Sequence, residues 1–198
     1  MDEIRYGDGF SLQRLEVGML ENNCYILRCL KSNVGVVVDP GDEAEKILEA
    51  AKGMTVKHIL LTHAHWDHTG ALEQIKKATA ASVGVNKLDA DVFRTSMDFN
   101  IEDGQEILFG ECSLKVIHTP GHSPGSVCLL VGTYLLSGDT VFPGGPGSTS
   151  IPWSDSALLL RSIVEKIFTL PPETIIYPGH GLSTTVGRET GTHPYQVL

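Results

Sequence analysis

The sequence predicts a layered α/β fold in which helices cover sheets. Short apolar segments typical of buried strands alternate with segments whose apolar residues recur at helical spacing. Segments rich in His or Asp begin where apolar strands end, which favours a site assembled from loops at strand ends. The chain has 198 residues, of which 41% are hydrophobic and 20% are charged, and this suits a globular domain with a sizeable core. We therefore expect a single domain over residues 1–198.

The first part of the chain predicts strands that lead into a β-α-β unit. Residues 10–17 alternate between apolar and polar, and residues 34–38 are apolar and mostly β-branched. The sequence Asp39-Pro40-Gly41 then ends the strand, and apolar residues on one helical face follow it. The predicted elements are strands at residues 10–17, 24–30 and 34–38, a helix at 43–52 and a strand at 57–61.

The second part predicts more elements of the same kind. A helix is expected from Thr69, with Leu72, Ile75 and Ala78 at helical spacing, followed by a strand at 81–85 and a helix at 88–94. Strands are expected at residues 114–117, 126–131, 134–136 and 175–177. Before the last strand, Ser154 is expected to cap a helix with the inward-facing residues Leu158, Ile163, Ile167 and Phe168.

Charge and composition exclude two classes of partner. A net charge of −9 and a pI near 5.3 repel phosphate, so we predict neither nucleic acid nor a membrane as a partner. Residues 1–10 lack the regions of a signal peptide, and no apolar run approaches the ~20 residues that cross a bilayer. We expect a soluble cytoplasmic protein with four reduced core thiols, Cys24, Cys29, Cys112 and Cys128.

The strongest chemical signal is Thr62-His63-Ala64-His65-Trp66-Asp67-His68, directly after an apolar strand. His63 and His65 are two residues apart, so in extended backbone both imidazoles point the same way and can bind one ion. Asp67 and His68, at the turn into the next helix, can face a second ion. Asp67 alone is equally well explained as a helix cap. The cluster as a whole predicts a metal site.

Three further ligand-type residues follow later strands. His122 lies in Thr119-Pro120-Gly121-His122-Ser123-Pro124-Gly125, Asp139 in Ser137-Gly138-Asp139-Thr140, and His180 in Tyr177-Pro178-Gly179-His180-Gly181. Each alone is typical of a turn. Together with the first cluster they give five His and two Asp, enough to bind two ions and leave positions open for water.

In this order the motifs resemble those of the metallo-β-lactamase-fold hydrolases, and within them the short glyoxalase II-type proteins. The resemblance runs from Val37-Val38-Asp39-Pro40-Gly41 to Pro178-Gly179-His180-Gly181, nearly the whole chain. It implies a four-layer αββα sandwich with the site at one edge of two packed sheets. It also implies that His63, His65 and His122 bind one ion, that Asp67, His68 and His180 bind the other, and that Asp139 bridges both.

Asp39 would support the ligands without touching an ion, although a turn-forming role before Pro-Gly explains it equally well. His58 and His118 lie in predicted strands and are interpreted as structural, and His193 as solvated or near the mouth of the site. The Gly- and Pro-rich residues 142–147 lack the Lys and spacing of a P-loop, so they are interpreted as a rigid loop bordering the site.

Departures from the family patterns narrow the expected substrate. A β-lactamase of the commonest type would have Cys in place of Asp139 and Arg in place of His68, so antibiotic hydrolysis is not expected. The helical region that binds glutathione in glyoxalase II has no counterpart after His180, so tolerance of the thiol half is expected. Persulfide dioxygenases carry Gly-Arg-Thr-Asp where this chain has Gly147-Ser148-Thr149-Ser150, and this difference argues against a dioxygenase.

The leading hypothesis is hydrolysis of a small-molecule thioester or related acyl ester by a metal-bound hydroxide, with Asp67 orienting the hydroxide and taking its proton. Two divalent ions are expected, zinc first, with iron and manganese accepting the same donors. The alternatives are a mononuclear iron persulfide dioxygenase and a non-catalytic metal-binding module. The sequence defines neither the acyl group nor the oligomeric state.

Overall fold

A computed structural model of the chain describes residues 3–191. Within that range the first sheet has seven strands in sequence order, and its last three pairs of neighbouring strands are parallel. Its strands are β1 (Glu3–Tyr6), β2 (Phe10–Val17), β3 (Asn22–Cys29), β4 (Val34–Val38), β5 (Thr55–Leu60), β6 (Ser82–Val85) and β7 (Phe99–Asn100).

The second sheet has six strands in the described range, and its order departs from the sequence. Its strands are β8 (Glu106–Phe109), β9 (Cys112–His118), β10 (Val127–Val131), β11 (Tyr134–Gly138), β14 (Ile175–Pro178) and β15 (Thr184–Thr185). The order is β15-β14-β11-β10-β9-β8, so that β14 lies parallel to β11 after a helical crossover. A separate hairpin consists of β12 (Val141–Phe142) and β13 (Gly145–Pro146).

Helices cover the outer face of each sheet. On the first sheet these are α1 (Ala44–Ala50), α3 (Leu72–Thr79) and α4 (Lys87–Phe93), while the short α2 (Trp66–Thr69) lies at the strand ends. On the second sheet they are α5 (Ser156–Ser162), which continues as a π-helical turn (Ile163–Ile167), and α6 (Val186–Glu189).

Alternating side chains divide the core into three apolar layers. In β4, Val36 and Val38 pack towards the second sheet, whereas Val37 packs with Ile47 of α1. In β10, Leu129 faces the first sheet and its neighbour Cys128 faces the helices of the second. The three layers separate helix, sheet, sheet and helix, which confirms the four-layer αββα sandwich.

The helix after Trp153 differs from the expectation in its cap and its buried face. The capping side chain is Asp155, which accepts a hydrogen bond from the Leu158 amide at 3.0 Å, while the Ser154 hydroxyl donates to two loop carbonyls. Leu158 is therefore half-exposed and Leu159 is buried in its place. Asp and Ser are about equally good N-cap residues, so residue type alone does not decide between Ser154 and Asp155 as the cap.

The cysteines and the structural histidines agree with expectation. All four thiols are free, and Cys112 is the partly exposed one. The His58 ring lies 2.8 Å from the Ser82 hydroxyl, and His118 Nε2 lies 3.0 Å from the Pro124 carbonyl oxygen. His193 lies outside the described residues. No helix between residues 3 and 191 is long and apolar enough to cross a membrane.

Candidate metal centre

All seven predicted ligands meet at one edge of the sandwich, beyond the ends of β5, β9, β11 and β14. His63 and His65 follow β5, and Asp67 and His68 lie in α2 immediately afterwards. The others come from the second sheet: His122 after β9, Asp139 after β11 and His180 after β14. Two sheets thus contribute to one cluster, because their strand ends lie side by side across the sandwich.

The first group consists of His63, His65 and His122, whose ligand-type nitrogens all lie within 4.8 Å of one another. The Nε2 atom of His122 is 3.0 Å from Nδ1 of His65. The ring of His63 packs edge-on against both, with centroids 4.6 Å from His65 and 4.9 Å from His122. Three imidazoles that converge in this way match the ligand set of a transition-metal site.

The second group consists of Asp67, His68 and His180, again with one ligand atom each within 4.8 Å of the others. Oδ2 of Asp67 lies 3.2 Å from Nε2 of His180 and 3.8 Å from Nε2 of His68. Two imidazoles and a carboxylate form a mixed nitrogen and oxygen set that suits zinc, iron or manganese.

Asp139 lies between the two groups. Its Oδ1 is 3.4 Å from Nε2 of His68, and its Oδ2 is 3.5 Å from Nε2 of His122 and 4.0 Å from Nε2 of His180. One carboxylate therefore lies within 4.0 Å of imidazoles from both groups.

Protein contacts behind the rings hold four of the five imidazoles with Nε2 towards the centre. Nδ1 of His122 donates to the Ser148 carbonyl at 2.8 Å, and Nδ1 of His180 donates to the Leu20 carbonyl at 2.8 Å. Nδ1 of His63 and of His68 are likewise occupied, by Thr62 at 3.1 Å and by Asp39 at 3.1 Å. Metal-binding histidines commonly use one nitrogen in this way to fix the ring and its tautomer.

Unpartnered atoms at the centre fit a metal ion. Nε2 of His63, Nε2 of His68 and Oδ1 of Asp139 are buried and have no hydrogen-bond partner within the described residues. A buried polar atom without a partner costs roughly 1–3 kcal/mol, so three of them at one point indicate a ligand for nitrogen and oxygen donors. The donor set and these atoms together fit divalent cations.

The charges of the centre show the same affinity for cations. Burial opposes the charged form of His68, but Asp139 and Asp39 outweigh it and raise the pKa of His68 to about 10. Burial would also raise the pKa of Asp139, yet His68 and neighbouring imidazoles hold it well below its ordinary value. Burial lowers the pKa of His65 to about 4, so this ring is a neutral donor at pH 7.

Asp39 is close enough to His63 and His68 to form a third possible group. Its oxygens are already occupied, however: Oδ1 accepts from the Thr62 amide at 2.8 Å, and Oδ2 accepts from the Thr62 hydroxyl at 2.6 Å and lies 3.1 Å from His68 Nδ1. Asp39 is therefore placed to orient His68 and Thr62, and both of its oxygens are already in hydrogen-bonding contact with them. This favours the supporting role over a turn-forming role alone.

Asp89, which was not predicted from the sequence, joins the loops that carry the first group. Asp89 is fully buried at 0% exposure, and its Oδ2 accepts from the Ala64 amide at 3.0 Å and the Ser123 hydroxyl at 2.7 Å. Its Oδ1 accepts from the Gly125 amide at 2.5 Å. Burial raises the pKa of Asp89, and these hydrogen bonds partly oppose that rise. An Asp at a buried position of an otherwise amphipathic helix was the available signal.

Asn22, Asn23 and Arg14 were also missed, and they fix the second group. The Asn22 amide lies 3.0 Å from His68 Nδ1, and Asn23 donates to the carbonyls of Pro178 and Gly181 at 2.9 and 3.0 Å. Arg14 donates to Asn23 Oδ1 at 3.1 Å and to the Gly181 carbonyl at 2.6 Å. Strands β2 and β3 thereby hold the loop that carries His180. The sequence signal was two adjacent amides inside a strand, where both are uncommon.

Two glycines allow the close packing around Asp139. A Cβ atom on Gly179 would collide with Asp139 Oδ1 and lie 2.7 Å from His68 Cε1. A Cβ atom on Gly147 would collide with the Asp139 carbonyl and lie 3.4 Å from His122 Nδ1. The loop at residues 142–147 therefore borders the site as expected, and the backbone comes close because these positions lack side chains.

A cavity of about 390 Å³ opens onto the centre, and its lining includes His65, His122, Asp67 and Asp139. Of the seven ligand candidates, Asp67, Asp139 and His180 have side chains that are 16%, 14% and 25% exposed, whereas His68 is fully buried. Solvent and a small molecule can thus reach the carboxylates of the centre.

Comparison with known proteins agrees with the fold. The "Probable metallo-hydrolase YqgX" of Bacillus subtilis is 35% identical over 204 residues, covering 92% of this chain and 96% of that protein. The "Hydroxyacylglutathione hydrolase GloC" of Haemophilus influenzae is 29% identical over 208 residues, covering 93% and 97%. The crystal structure of TTHA1623 in a di-iron-bound form superposes with a TM-score of 0.78 at 34% identity, covering 92% and 98%.

The family description "Metallo-beta-lactamase superfamily" matches residues 17–180, which contain all seven candidate ligands. The metallo-β-lactamase fold binds divalent metals, and this chain has His and Asp clusters that could hold them. This chain belongs to the metallo-beta-lactamase superfamily.

Proposed function

We propose that this protein is a metal-dependent hydrolase of thioesters or related acyl esters that binds two divalent ions. The observation that carries the proposal is one carboxylate, Asp139, placed between two separate groups of three ligand-type side chains. A single ion would be satisfied by one group of three and a water. The second group and the shared carboxylate favour a pair of ions, a common arrangement in hydrolytic enzymes.

In this proposal His63, His65 and His122 bind the first ion, Asp67, His68 and His180 bind the second, and Asp139 binds both. The ions would supply Lewis acidity, which makes water nucleophilic near neutral pH and stabilises negative charge on oxygen. Zinc is our first expectation, and the di-iron form of TTHA1623 is a reason to test iron alongside it.

Asp67 has a second role, as the group that orients water and accepts its proton. Burial would raise the pKa of Asp67, but the hydrogen bond from His180 and the charge of His68 lower it below the ordinary value. Asp67 is therefore an anion and a hydrogen-bond acceptor at neutral pH, and it lines the cavity where a substrate carbonyl can enter.

A serine nucleophile is not supported by the geometry. Ser148 lines the cavity, but His122 Nδ1 donates to its backbone carbonyl, and its hydroxyl accepts from the Ser150 amide at 3.3 Å. No imidazole of the described residues is hydrogen-bonded to that hydroxyl. A nucleophilic serine needs a base in contact with its hydroxyl, so direct attack by water is the better account.

The test combines metal analysis with a thioester assay. The protein is purified without chelator, its zinc, iron and manganese are measured, and portions are reconstituted with each metal. Release of free thiol from S-lactoylglutathione and from a thioester of a small neutral thiol is then followed. We expect two ions per chain and thiol release that depends on them.

Two results would contradict the proposal. Protein that holds two ions yet releases no thiol with any of the three metals is not a thioester hydrolase. Protein that holds one iron tightly, gains no second ion on reconstitution and consumes oxygen with a persulfide substrate is instead a mononuclear dioxygenase.

A further inference from the structure

The cavity beside the metal centre is walled mainly by apolar side chains. Its lining other than the ligand candidates and Ser148 consists of Leu20, Trp66, Phe93, Ile151, Pro152 and Trp153. These come from three separate parts of the chain: the turn between β2 and β3, the segment from α2 to the end of α4, and the loop before α5. A volume of about 390 Å³ is in the range of pockets that hold small organic molecules.

The chain contains two tryptophans, and both lie at this cavity. Trp66 is 73% exposed and Trp153 is 67% exposed. Indole is the largest apolar side chain, and two such rings on one rim offer a substrate much apolar area to cover.

The backbone of Trp153 is strained in the position that brings its ring to the cavity. Its φ is 70°, in the left-handed region that bulky side chains rarely adopt. Glycine would adopt this angle without cost, and such strain costs roughly 1–3 kcal/mol. A bulky residue at a glycine-like position, next to the metal centre, points to a use for the ring itself.

A smaller cavity of about 100 Å³ adjoins the first one. Leu20, Trp66 and Asp67 line both cavities, and the smaller one adds Val17 and Met19, of which Met19 is 98% exposed. Asp67 therefore borders both cavities, together with Leu20 and Trp66. A substrate whose reacting carbonyl lies at Asp67 can extend an apolar group to each side.

Charge decides which groups the two cavities accept. No Lys or Arg is among the described residues that line either cavity, whereas Asp67 and Asp42 contribute carboxylates to the smaller one. An anionic substituent held away from the metal ions would find no cation there and would be repelled by these carboxylates.

We propose that the two cavities select thioesters whose acyl and thiol portions are both uncharged and apolar, bound between Trp66 and Trp153. This rests on the proposed thioester hydrolysis for the reaction, while the apolar selectivity itself concerns binding alone. Trp66 and Trp153 are then specificity-determining residues that bind substrate and take no part in proton transfer.

The test uses the intrinsic fluorescence of the protein, because both fluorescent indoles lie at the cavity. The probes are two thioethers, which cannot be hydrolysed: one carries a phenylethyl group and a methyl sulfone on its two arms, and the other carries a sulfonate in place of the sulfone. Each is titrated into metal-loaded protein. We expect the neutral thioether to change the tryptophan emission and to bind at least about tenfold more tightly than the sulfonate.

Variants locate the binding. Trp153→Ala and Trp66→Phe should each weaken binding of the neutral thioether, Trp153→Ala by about tenfold or more. Leu108→Ala is the matched control, since Leu108 is a 55% exposed apolar residue of β8 that lines neither cavity. Metal content is measured for every variant, so that a loss of ions is not mistaken for a loss of binding.

The outcomes separate this proposal from the hydrolase proposal. Equal binding of the two thioethers, or an equal effect of Leu108→Ala and Trp153→Ala, would overturn the apolar selectivity even if thioesters are hydrolysed. Selective binding of the neutral thioether without hydrolysis of any thioester would overturn the hydrolase and leave the selectivity standing. If both proposals hold, kcat/KM for an apolar neutral thioester should exceed that for S-lactoylglutathione by about tenfold, and Trp153→Ala should reduce that ratio.

Discussion

Asp139 differs from the other candidate ligands because its carboxylate lies close to imidazoles of both groups. We predict that Asp139→Ala lowers metal content and kcat/KM more than His180→Ala does. The first change removes a donor from both proposed ions, and the second removes a donor from one. A loss of about 10³-fold or more in kcat/KM is expected for Asp139→Ala, the scale of removing a group that positions the reacting atoms.

The measurement is elemental analysis and steady-state thiol release on both variants, prepared side by side with wild type. Since His180 is 25% exposed at the mouth, its loss should leave the first group able to hold one ion. If Asp139→Ala kept two ions and near-normal turnover, Asp139 would not bridge them.

Asp89 binds the loops that carry the first group and is not itself a candidate ligand. A variant at this position tests whether its buried hydrogen bonds position those loops. In Asp89→Asn an amide group replaces one oxygen, so the amide of Ala64 or of Gly125 loses its acceptor and faces another donor. We expect a loss of about 2–4 kcal/mol in the free energy of unfolding and faster release of metal to a chelator. Asp91→Asn, an exposed position of the same helix, is the matched control and should change neither.

Residue types predicted the candidate ligands but not the residues behind them. His and Asp at strand ends are conspicuous because few other roles explain them, and the structure brings all seven together. Asp89, Asn23 and Arg14 act through backbone amides and carbonyls of distant loops. Such partners are defined only by the tertiary structure, so composition and spacing contain little information about them.

At the level of elements, the central strands were predicted well and the edges poorly. The expected strands at 10–17 and 34–38 match β2 and β4 at both ends, because runs of β-branched or alternating residues define a buried strand. The strands β7, β12, β13 and β15 have two residues each and were not predicted. A two-residue strand has no periodicity, so pairing with a neighbour is all that defines it.

The helix that covers the second sheet buries a different first residue from the one that was predicted. Residues 156–162 are α-helical and residues 163–167 form a π-helical turn, in which the Phe168 amide donates to the Ile163 carbonyl at 2.9 Å. Leu159, Ile163 and Ile167 are buried at spacings of four. Leu158 was therefore the wrong first residue, since it lies five positions before Ile163, while Ile163 and Ile167 were correct.

His58 of β5 provides a prediction about pH. Burial lowers the pKa of His58, and the charge of Lys57 lowers it further. In the unfolded chain His58 has a pKa of about 6.5, so as pH falls it takes up a proton before the folded chain does. The contribution of neutral His58 to the free energy of unfolding is therefore complete above pH ~6.5 and is lost as pH falls below that value. We expect His58→Gln, which has no titrating group, to show a smaller fall in stability from pH 7.5 to 5.0.

The measurement is urea unfolding of wild type and His58→Gln at both pH values with the same metal present. The difference between them should be under about 1 kcal/mol, because His58 is only partly buried and water screens its charge. His118→Gln is the control, since it removes another strand histidine. A fall of the same size in wild type and His58→Gln would show that His58 does not titrate below its unfolded value.

At the scale of the whole molecule, the sequence predicted layers but not their arrangement. Alternation and helical spacing indicate which faces are buried, and this was sufficient for sheets covered by helices. In the second sheet, β14 pairs with β11, although β14 begins 37 residues after β11 ends. The local sequence pattern contains nothing that specifies this pairing. The family resemblance supplied the four layers, and the packing of the three apolar clusters confirms them.

The net charge of −9 gives a prediction about ionic strength that concerns the whole surface. An anionic thioester such as S-lactoylglutathione approaches against the long-range field of the protein, whereas a neutral thioester does not. The Debye length falls from about 30 Å at 0.01 M salt to about 10 Å at 0.1 M, so added salt should screen that repulsion. We therefore expect kcat/KM for S-lactoylglutathione to rise by about twofold or more between 0.01 and 0.2 M sodium chloride, with little change for the neutral thioester.

The neutral substrate is the internal control for any effect of salt on the enzyme itself. Steady-state kinetics on one metal-loaded preparation provides both values, and a fall in kcat/KM for S-lactoylglutathione with salt would mean that cations near the mouth of the site attract it despite the overall charge.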